Sequence, residues 1–405
     1  MSNNNQSISV HNFEHRRDQS FILYNGTVYT PWGKFHGGVT VRKGKIDAVF
    51  KGEPADMLAA KSEILVNCYE KSIVPGFIDL HVHGSKGFDF TLASTEEITR
   101  AVSFQAATGG TTALLPTIVS APLNTIKRAS EKIKQARIKI SGPQILGVHL
   151  EGPFLNPRYK GAHSEEYLRH PEPKLIEDLA ASLGEELSMI TLSPELPYAI
   201  EAISYLSRQG IIVALGHSGA TLEEVQKAVD CGLSHAVHTY STMRRFHHRS
   251  PGALGAVLTM DEISAEIVAD GVHIDPAAVK LFFRAKPPGQ AILVTDALAV
   301  CGLTDGECML GDKKIIKRAG KAFLENGTLA GSIITMNLAV AGAVKMSSLS
   351  LEKILPAATI NPARVLGLDN CKGSLEKGKD ADIVILDDDY RVISTICRGK
   401  VFRHS

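Results

Sequence analysis

Apolar positions along this chain fall into two textures. From Phe21 to about Ser72 they come in short runs, FILYNGTVYT and GGVTVRKGKIDAVF, broken by Asn-Gly and Lys-Gly turns. β-Branched and aromatic residues in that pattern predict strands joined by tight turns. The last stretch, KGSLEKGKDADIVILDDDYRVISTICRGKVF, has the same texture, with Gly and Asp turns. Two strand-rich ends around a different middle predict one small β domain assembled from both termini, which would then lie near each other. Between Ile73 and about Leu366, short apolar runs are followed by helical stretches, the pattern of repeated βα units around a parallel sheet. Eight candidate strands stand out: IVPGFIDLHVHG, TTALLPTIV, QILGVHLEG, MITLSPE, IIVALGHSG, HAVHTYS, AEIVADGVH and AILVTDAL. Thr221, with Glu224 three residues on, opens one intervening helix as a capping box. The expected architecture is α/β: a (β/α)8 TIM-like barrel over 73–366 and a small β-sandwich domain in two parts, 21–72 and 367–405. Residues 1–20 are polar and are expected to form a disordered tail.

Composition narrows the partners. The chain has 405 residues, 44% hydrophobic and 21% charged, the balance of an ordinary globular protein. A net charge of +1 gives no electrostatic reason to expect nucleic acid or a membrane surface, so any bound anion must be caught locally. The six cysteines are scattered without a C-x-x-C pair, which speaks against a zinc knuckle or a disulfide framework and suits a reducing cytoplasm. The N-terminal residues lack the apolar core of a secretory signal, and no later apolar run is long enough to span a bilayer.

The candidate chemistry lies at the C-terminal strand ends, where a barrel of this kind builds its active site. His81 and His83 follow an apolar strand at i and i+2, so both imidazoles can reach one ion. Taken alone, the pair fits two ordinary polar residues at a strand end equally well. Glu151 closes a second strand, where a carboxylate must find a cation, a donor or water. His217, His238 and Asp296 end three others. Any one of these could be a hydrogen-bonded rim residue, but six together are hard to obtain by chance. Nitrogen and carboxylate ligands suit zinc, iron or manganese, and an incomplete protein shell leaves a position for water.

In order, PGFIDLHVHG, HLEGPF, LGHS, the histidine of HTYSTM and VTDA resemble the motifs of the N-acetylglucosamine-6-phosphate deacetylases of the amidohydrolase superfamily. The resemblance covers nearly the whole chain. It implies a metal-dependent hydrolase barrel with Glu151, His217 and His238 as ligands of the principal divalent metal and Asp296 as the acid/base. Some members lack the first His-x-His pair; here His81 and His83 are present, which implies one or two ions, bridged in the second case by Glu151. KGAH, with Ala162 and His163, resembles the segment that touches the sugar and the acetyl carbonyl. DGVH, ending at His273, and LAGS, with Leu329, Ala330 and Gly331, resemble further substrate-contacting segments. Arg249 lies at the position of the family's phosphate-binding arginine, while Arg244 and Arg245 read as a solvated basic loop. Ser241 and Thr242 stand where the family usually has Asn-Ala or Asn-Gly, which bears on which sugar phosphate fits.

The implied activity is removal of the acetyl group from an amino-sugar phosphate, N-acetylglucosamine 6-phosphate above all, in amino-sugar catabolism. The implied assembly is a homodimer in which a residue such as His273 reaches the neighbouring site. Three alternatives stand beside that reading. One is deacetylation of N-acetylgalactosamine 6-phosphate, one is another amidohydrolase reaction such as opening of a cyclic amide, and one is a non-catalytic binding protein on the same barrel.

Overall fold

The structure, a computed structural model, describes residues 7–13, 20–52 and 64–402. Eight parallel strands form the barrel: β1 (Phe77–Val82), β2 (Thr111–Val119), β3 (Val148–Glu151), β4 (Leu187–Leu192), β5 (Ile212–Leu215), β6 (Leu233–Ala236), β7 (Ser264–Ile267) and β8 (Ala291–Leu293). They pair in chain order from β1 to β8. The ring is closed by a parallel bridge from Val82 to Ala297, just beyond β8. All eight expected strands are therefore present.

Residues alternate along these strands between two cores, as the twofold strand period requires. Val213 and Leu215 of β5, with Ala291 and Leu293 of β8, join helix residues such as Ile98, Val102 and Ile126 in the outer core. Their neighbours Ala214 and Ile292 join Ile78, Ala113 and Met189 in a separate inner cluster. Strands buried on both faces read as continuous apolar runs, which is why TTALLPTIV is buried at every position. The helices carry the expected start signals. Ser94 with Glu97, and Thr221 with Glu224, form complete capping boxes at the starts of Thr95–Gly109 and Leu222–Asp230.

A nine-stranded sheet makes the second domain. Its two parts meet where Ile383–Leu386 pairs antiparallel with Ser72–Pro75. That pairing carries the first part of the β domain to Pro75, three residues past the expected boundary. The expected tail also differs. Ser7–Ser9 pairs parallel with Ile64–Asn67, and Val10 and Phe13 are buried in the core of this sheet, because both are apolar anchors within a polar stretch. Residues 1–6 and 14–19 lie outside the described residues.

One element was not anticipated. Between β8 and the helix Met336–Ser347, the strands Gly306–Leu310, Lys313–Arg318 and Lys321–Leu324 form a small antiparallel sheet, whose buried Leu310, Ile315 and Ala322 pack on Val119, Leu298 and Ala330. Among the described residues no helix is long and apolar enough to cross a membrane.

Candidate active site and metal centre

The polar residues singled out at the strand ends converge on Glu151. Its Oε1 lies 3.0 Å from His217 Nε2 and 2.9 Å from His238 Nε2, and those two nitrogens are 3.2 Å apart. A tetrahedral shell with bonds of about 2.1 Å has ligand–ligand edges of about 3.4 Å, so this trio already has the span of a metal site. On the other side of the carboxylate, Oε2 lies 3.4 Å from His83 Nε2, and His83 Nε2 lies 3.3 Å from His81 Nε2. Asp296 Oδ1 approaches His83 Nε2 at 3.2 Å and His81 Nε2 at 3.7 Å. All six side chains are buried or nearly so.

Hydrogen-bond partners decide which ring nitrogens face inward as lone pairs. His217 Nδ1 is 2.9 Å from the Tyr159 carbonyl, which can only accept, so Nδ1 carries the proton and Nε2 is bare. His81 Nδ1 is 2.9 Å from the Glu266 carboxylate, which keeps a proton on Nδ1 and leaves Nε2 as the position a metal would take. Two bare imidazole nitrogens and a carboxylate turned toward one another lack only a cation, and His83 Nδ1 and His238 Nδ1 are buried with no partner of their own. Burial pushes His81 down, but the Glu266 and Glu151 carboxylates pull it well above the usual imidazole range. A metal ion would displace that proton. Burial holds His217 down at about 4. Burial favours the neutral form of Glu151, yet the surrounding histidines hold it well below the ordinary carboxylate range. The donor set fits one or two divalent ions.

His163 is different. Its Nδ1 lies 2.9 Å from the Ser120 hydroxyl and 3.3 Å from the Ser120 N–H, and its Nε2 lies 3.2 Å from Glu151 Oε2. Distance alone groups His163 with Glu151 and His217 as a possible ligand set. Ser120 braces the ring from behind, and the ring's Nε2 edge lines the cavity.

Backbone strain is concentrated at the same place. His217, His238 and Asp296 have φ of 51°, 28° and 48°, in the left-handed region that non-glycine residues rarely adopt. Such conformations cost on the order of 1–3 kcal/mol each and persist where surrounding structure holds them. Around Asp296 the hold is visible. Its N–H donates to the His81 carbonyl, its carbonyl accepts from Ser332 N–H at 2.7 Å, and Gly331 passes so close that a Cβ there would lie 2.6 Å from the Asp296 carbonyl oxygen.

Of the other expected residues, Ala162, His163, Ser241, Thr242, His273, Leu329, Ala330 and Gly331 line the cavity above Glu151. His273 Nδ1 lies 2.7 Å from Asp270 and Nε2 2.5 Å from the Ala330 carbonyl, so both nitrogens face acceptors. Burial lowers its pKa, but the Asp270 carboxylate raises it overall to about 8. Arg249 is not brought in: it is exposed on the 244–250 loop and does not line the cavity. Arg245 is exposed as expected, whereas Arg244 is half-buried and donates to Ser250 and Gly219, a loop-bracing role. Sequence reasoning missed Ser120, Leu310 and Asp312, which also line the cavity, and the buried residues beneath it, Asp79, His149, His235 and Glu266. The last four were visible as polar residues inside apolar strands.

This arrangement, a parallel barrel whose strand ends gather histidines and carboxylates for divalent metal, defines a metal-dependent hydrolase. The chain belongs to the amidohydrolase family, whose pattern it matches over residues 72–402. It is 36% identical to an N-acetylglucosamine-6-phosphate deacetylase of Lysinibacillus sphaericus, over 94% of this chain and 97% of that one. It is 35% identical to an N-acetylgalactosamine-6-phosphate deacetylase of Escherichia coli O157:H7, over 85% and 92% respectively. A solved structure of a mutant Mycobacterium smegmatis N-acetyl-D-glucosamine-6-phosphate deacetylase, in complex with N-acetyl-D-glucosamine-6-phosphate, superposes with a TM-score of 0.89 at 31% identity, covering 95% of this chain and all of the other.

Proposed function

We propose that this chain hydrolyses the acetamide of N-acetyl-D-glucosamine 6-phosphate to D-glucosamine 6-phosphate and acetate, a step of amino-sugar catabolism or recycling. The observation that carries this reading is the packing of two histidine pairs around the Glu151 carboxylate, with Asp296 beside them in the cavity. Relatives that share most of the chain's length bear the same activity in their names.

Glu151, His217 and His238 would hold one ion, and His81 and His83, sharing the Glu151 carboxylate, would hold another. A divalent ion held there supplies Lewis acidity for the acetyl carbonyl and lowers the pKa of water towards about 7. Burial favours protonation of Asp296, but hydrogen bonding from His83 and the neighbouring histidine charges hold its carboxyl below the usual range, so it is ionised and able to take a proton from the attacking water. The same carboxyl then returns the proton to the departing sugar nitrogen. His163 Nε2–H donates to the carbonyl oxygen as negative charge builds there. His273, poised to be cationic near neutral pH through its Asp270 partner, is assigned a substrate contact in the cavity wall.

The test is acetate release from N-acetylglucosamine 6-phosphate by protein of counted metal content, with the unphosphorylated sugar alongside. Turnover needing both metal and phosphate is expected; none from metal-loaded protein overturns the reading. The galactosamine epimer is the second reading, favoured by the comparable identity to the E. coli enzyme and by Ser241 and Thr242 in the cavity wall. The ratio of kcat/KM on the two epimers separates them, because a misplaced hydroxyl leaves buried polar groups unpaired. A cytoplasmic homodimer belongs to the same proposal. Six unbridged cysteines support the compartment and the family resemblance supports the dimer, which a mass in solution tests.

A further inference from the structure

Beneath the two histidine pairs lies a carboxylate that none of the assigned roles uses. Glu266, in the middle of β7, is completely buried. An ionised carboxylate in such a place must be surrounded by donors, and it is. Oε2 accepts from His81 Nδ1 at 2.9 Å and from the backbone N–H of His238 at 3.2 Å. Oε1 faces His235 Nε2 at 3.1 Å, and His235 Nδ1 in turn meets the Ser264 hydroxyl at 2.7 Å. The Ser264 hydroxyl donates onward to the Ser234 carbonyl, so it accepts from His235. Both His235 nitrogens thus face acceptors, and on the other side of Glu266 the chain ends at His81, whose other ring nitrogen, Nε2, faces His83 and Glu151.

The two histidine pairs differ in what stands behind them. His217 is oriented by a backbone carbonyl, that of Tyr159, which any side chain at that position would supply. His81 is oriented by a side chain, and its partner His83 has no second hydrogen bond at all. The ring of His81 therefore depends on a side chain that substitution can remove, whereas Glu266 meets the other pair only through the backbone N–H of His238 and touches neither ring there.

We propose that Glu266 is the positioning residue of the His81–His83 ion: it locks His81 as the Nδ1–H tautomer with Nε2 aimed at the metal, and without it the chain holds only the Glu151–His217–His238 ion. The inference rests on the two-ion assignment above. Outer partners of metal-binding histidines commonly contribute about 10- to 100-fold in metal affinity.

The test counts bound zinc by elemental analysis and measures zinc affinity in wild type, Glu266→Ala and Glu266→Gln. Wild type is expected to hold two ions and Glu266→Ala one, with the second bound about 10- to 100-fold more weakly. Glu266→Gln is expected to restore most of that loss, since its carbonyl can still accept from His81 while its amide donates to a neutral His235; a residue serving only to fill the core would not show this rescue. Two ions bound with unchanged affinity by Glu266→Ala, or a single ion in wild type, overturns the inference. Should the alanine variant fail to fold, nitrogen-15 spectra of the zinc-loaded wild type decide: His81 protonated at Nδ1 is expected, and His81 protonated at Nε2 refutes the assignment. Because these readouts need no substrate, a two-ion protein that leaves sugar phosphates untouched would refute the proposed substrate and leave the role of Glu266 standing.

Discussion

The side chains gathered around Glu151 sit on barrel strands or within three residues of their ends, whereas much of the rest of the cavity wall comes from loops at 161–164 and 241–242, from His273, and from the inserted sheet and the segment after it, Leu310 to Gly331. The first group is buried, strained and cross-braced through Tyr159, Glu266 and Ser332. The second is tied together by contacts between its own segments, such as the Ser164 hydroxyl donating to Asp312. Reaction type is set where the backbone has no freedom, and substrate choice where it has some, which is how one barrel supports many chemistries.

The sharpest break of that contrast is at Glu151, which both histidine pairs share. Glu151→Ala is expected to lose bound metal by elemental analysis and to fall to background turnover. Asp296→Asn comes next. It removes the proton acceptor while leaving the histidines in place, so kcat should fall by about 10²–10⁴-fold with metal content unchanged. Full activity in Asp296→Asn, with metal retained, would mean the proton is handled elsewhere.

A loop-side change should act differently. His273→Asn is expected to raise KM for the phosphorylated sugar about tenfold, with kcat nearly preserved and little effect on the unphosphorylated sugar, because it removes a cavity-wall charge that the assigned proton transfers do not use. The pH dependence has a defined sign. Burial pulls His273 down, the Asp270 partnership lifts it to about 8, and the net folded value lies above the unfolded imidazole value of about 6.5. The stability it contributes is therefore fully present below about 6.5 and is lost as pH rises through about 8. KM for the phosphorylated sugar should climb over that same interval in wild type, and the climb should vanish in His273→Asn.

The contrast also separates what the sequence discloses from what it hides. Strands β1 to β8 and their terminal His81, His83, Glu151, His217, His238 and Asp296 were legible because buried parallel strands are uninterrupted apolar runs, against which a terminal histidine or carboxylate stands out. Glu266 and His235 carry the same signal from inside a strand, but they read as ordinary core polar residues until the fold shows them touching His81. The loops give no such contrast. Arg249 sits in a basic stretch where nothing local says which cation turns inward, and it stays outside the cavity. The sheet from Gly306 to Leu324 is largely half-buried and rich in lysine, so its role as a wall was not apparent from periodicity.

That wall supplies the smallest expected effect. Asp312, in the turn between Gly306–Leu310 and Lys313–Arg318, lines the cavity and accepts from the Ser164 hydroxyl at 2.5 Å, fastening the inserted sheet to the segment that carries His163. Its side chain is about one-third exposed, so water competes for the contact and its loss should be worth no more than about 1 kcal/mol. Asp312→Ala is accordingly expected to raise KM by a few-fold while leaving kcat and metal content unchanged. It should also shift the preference between the glucosamine and galactosamine epimers, since it alters a wall facing the sugar and leaves the acetyl group's surroundings intact. A fall in kcat comparable to that of Asp296→Asn would mean the loop helps hold His163 in its donor orientation, and the division between strand-borne chemistry and loop-borne selection would fail at that residue.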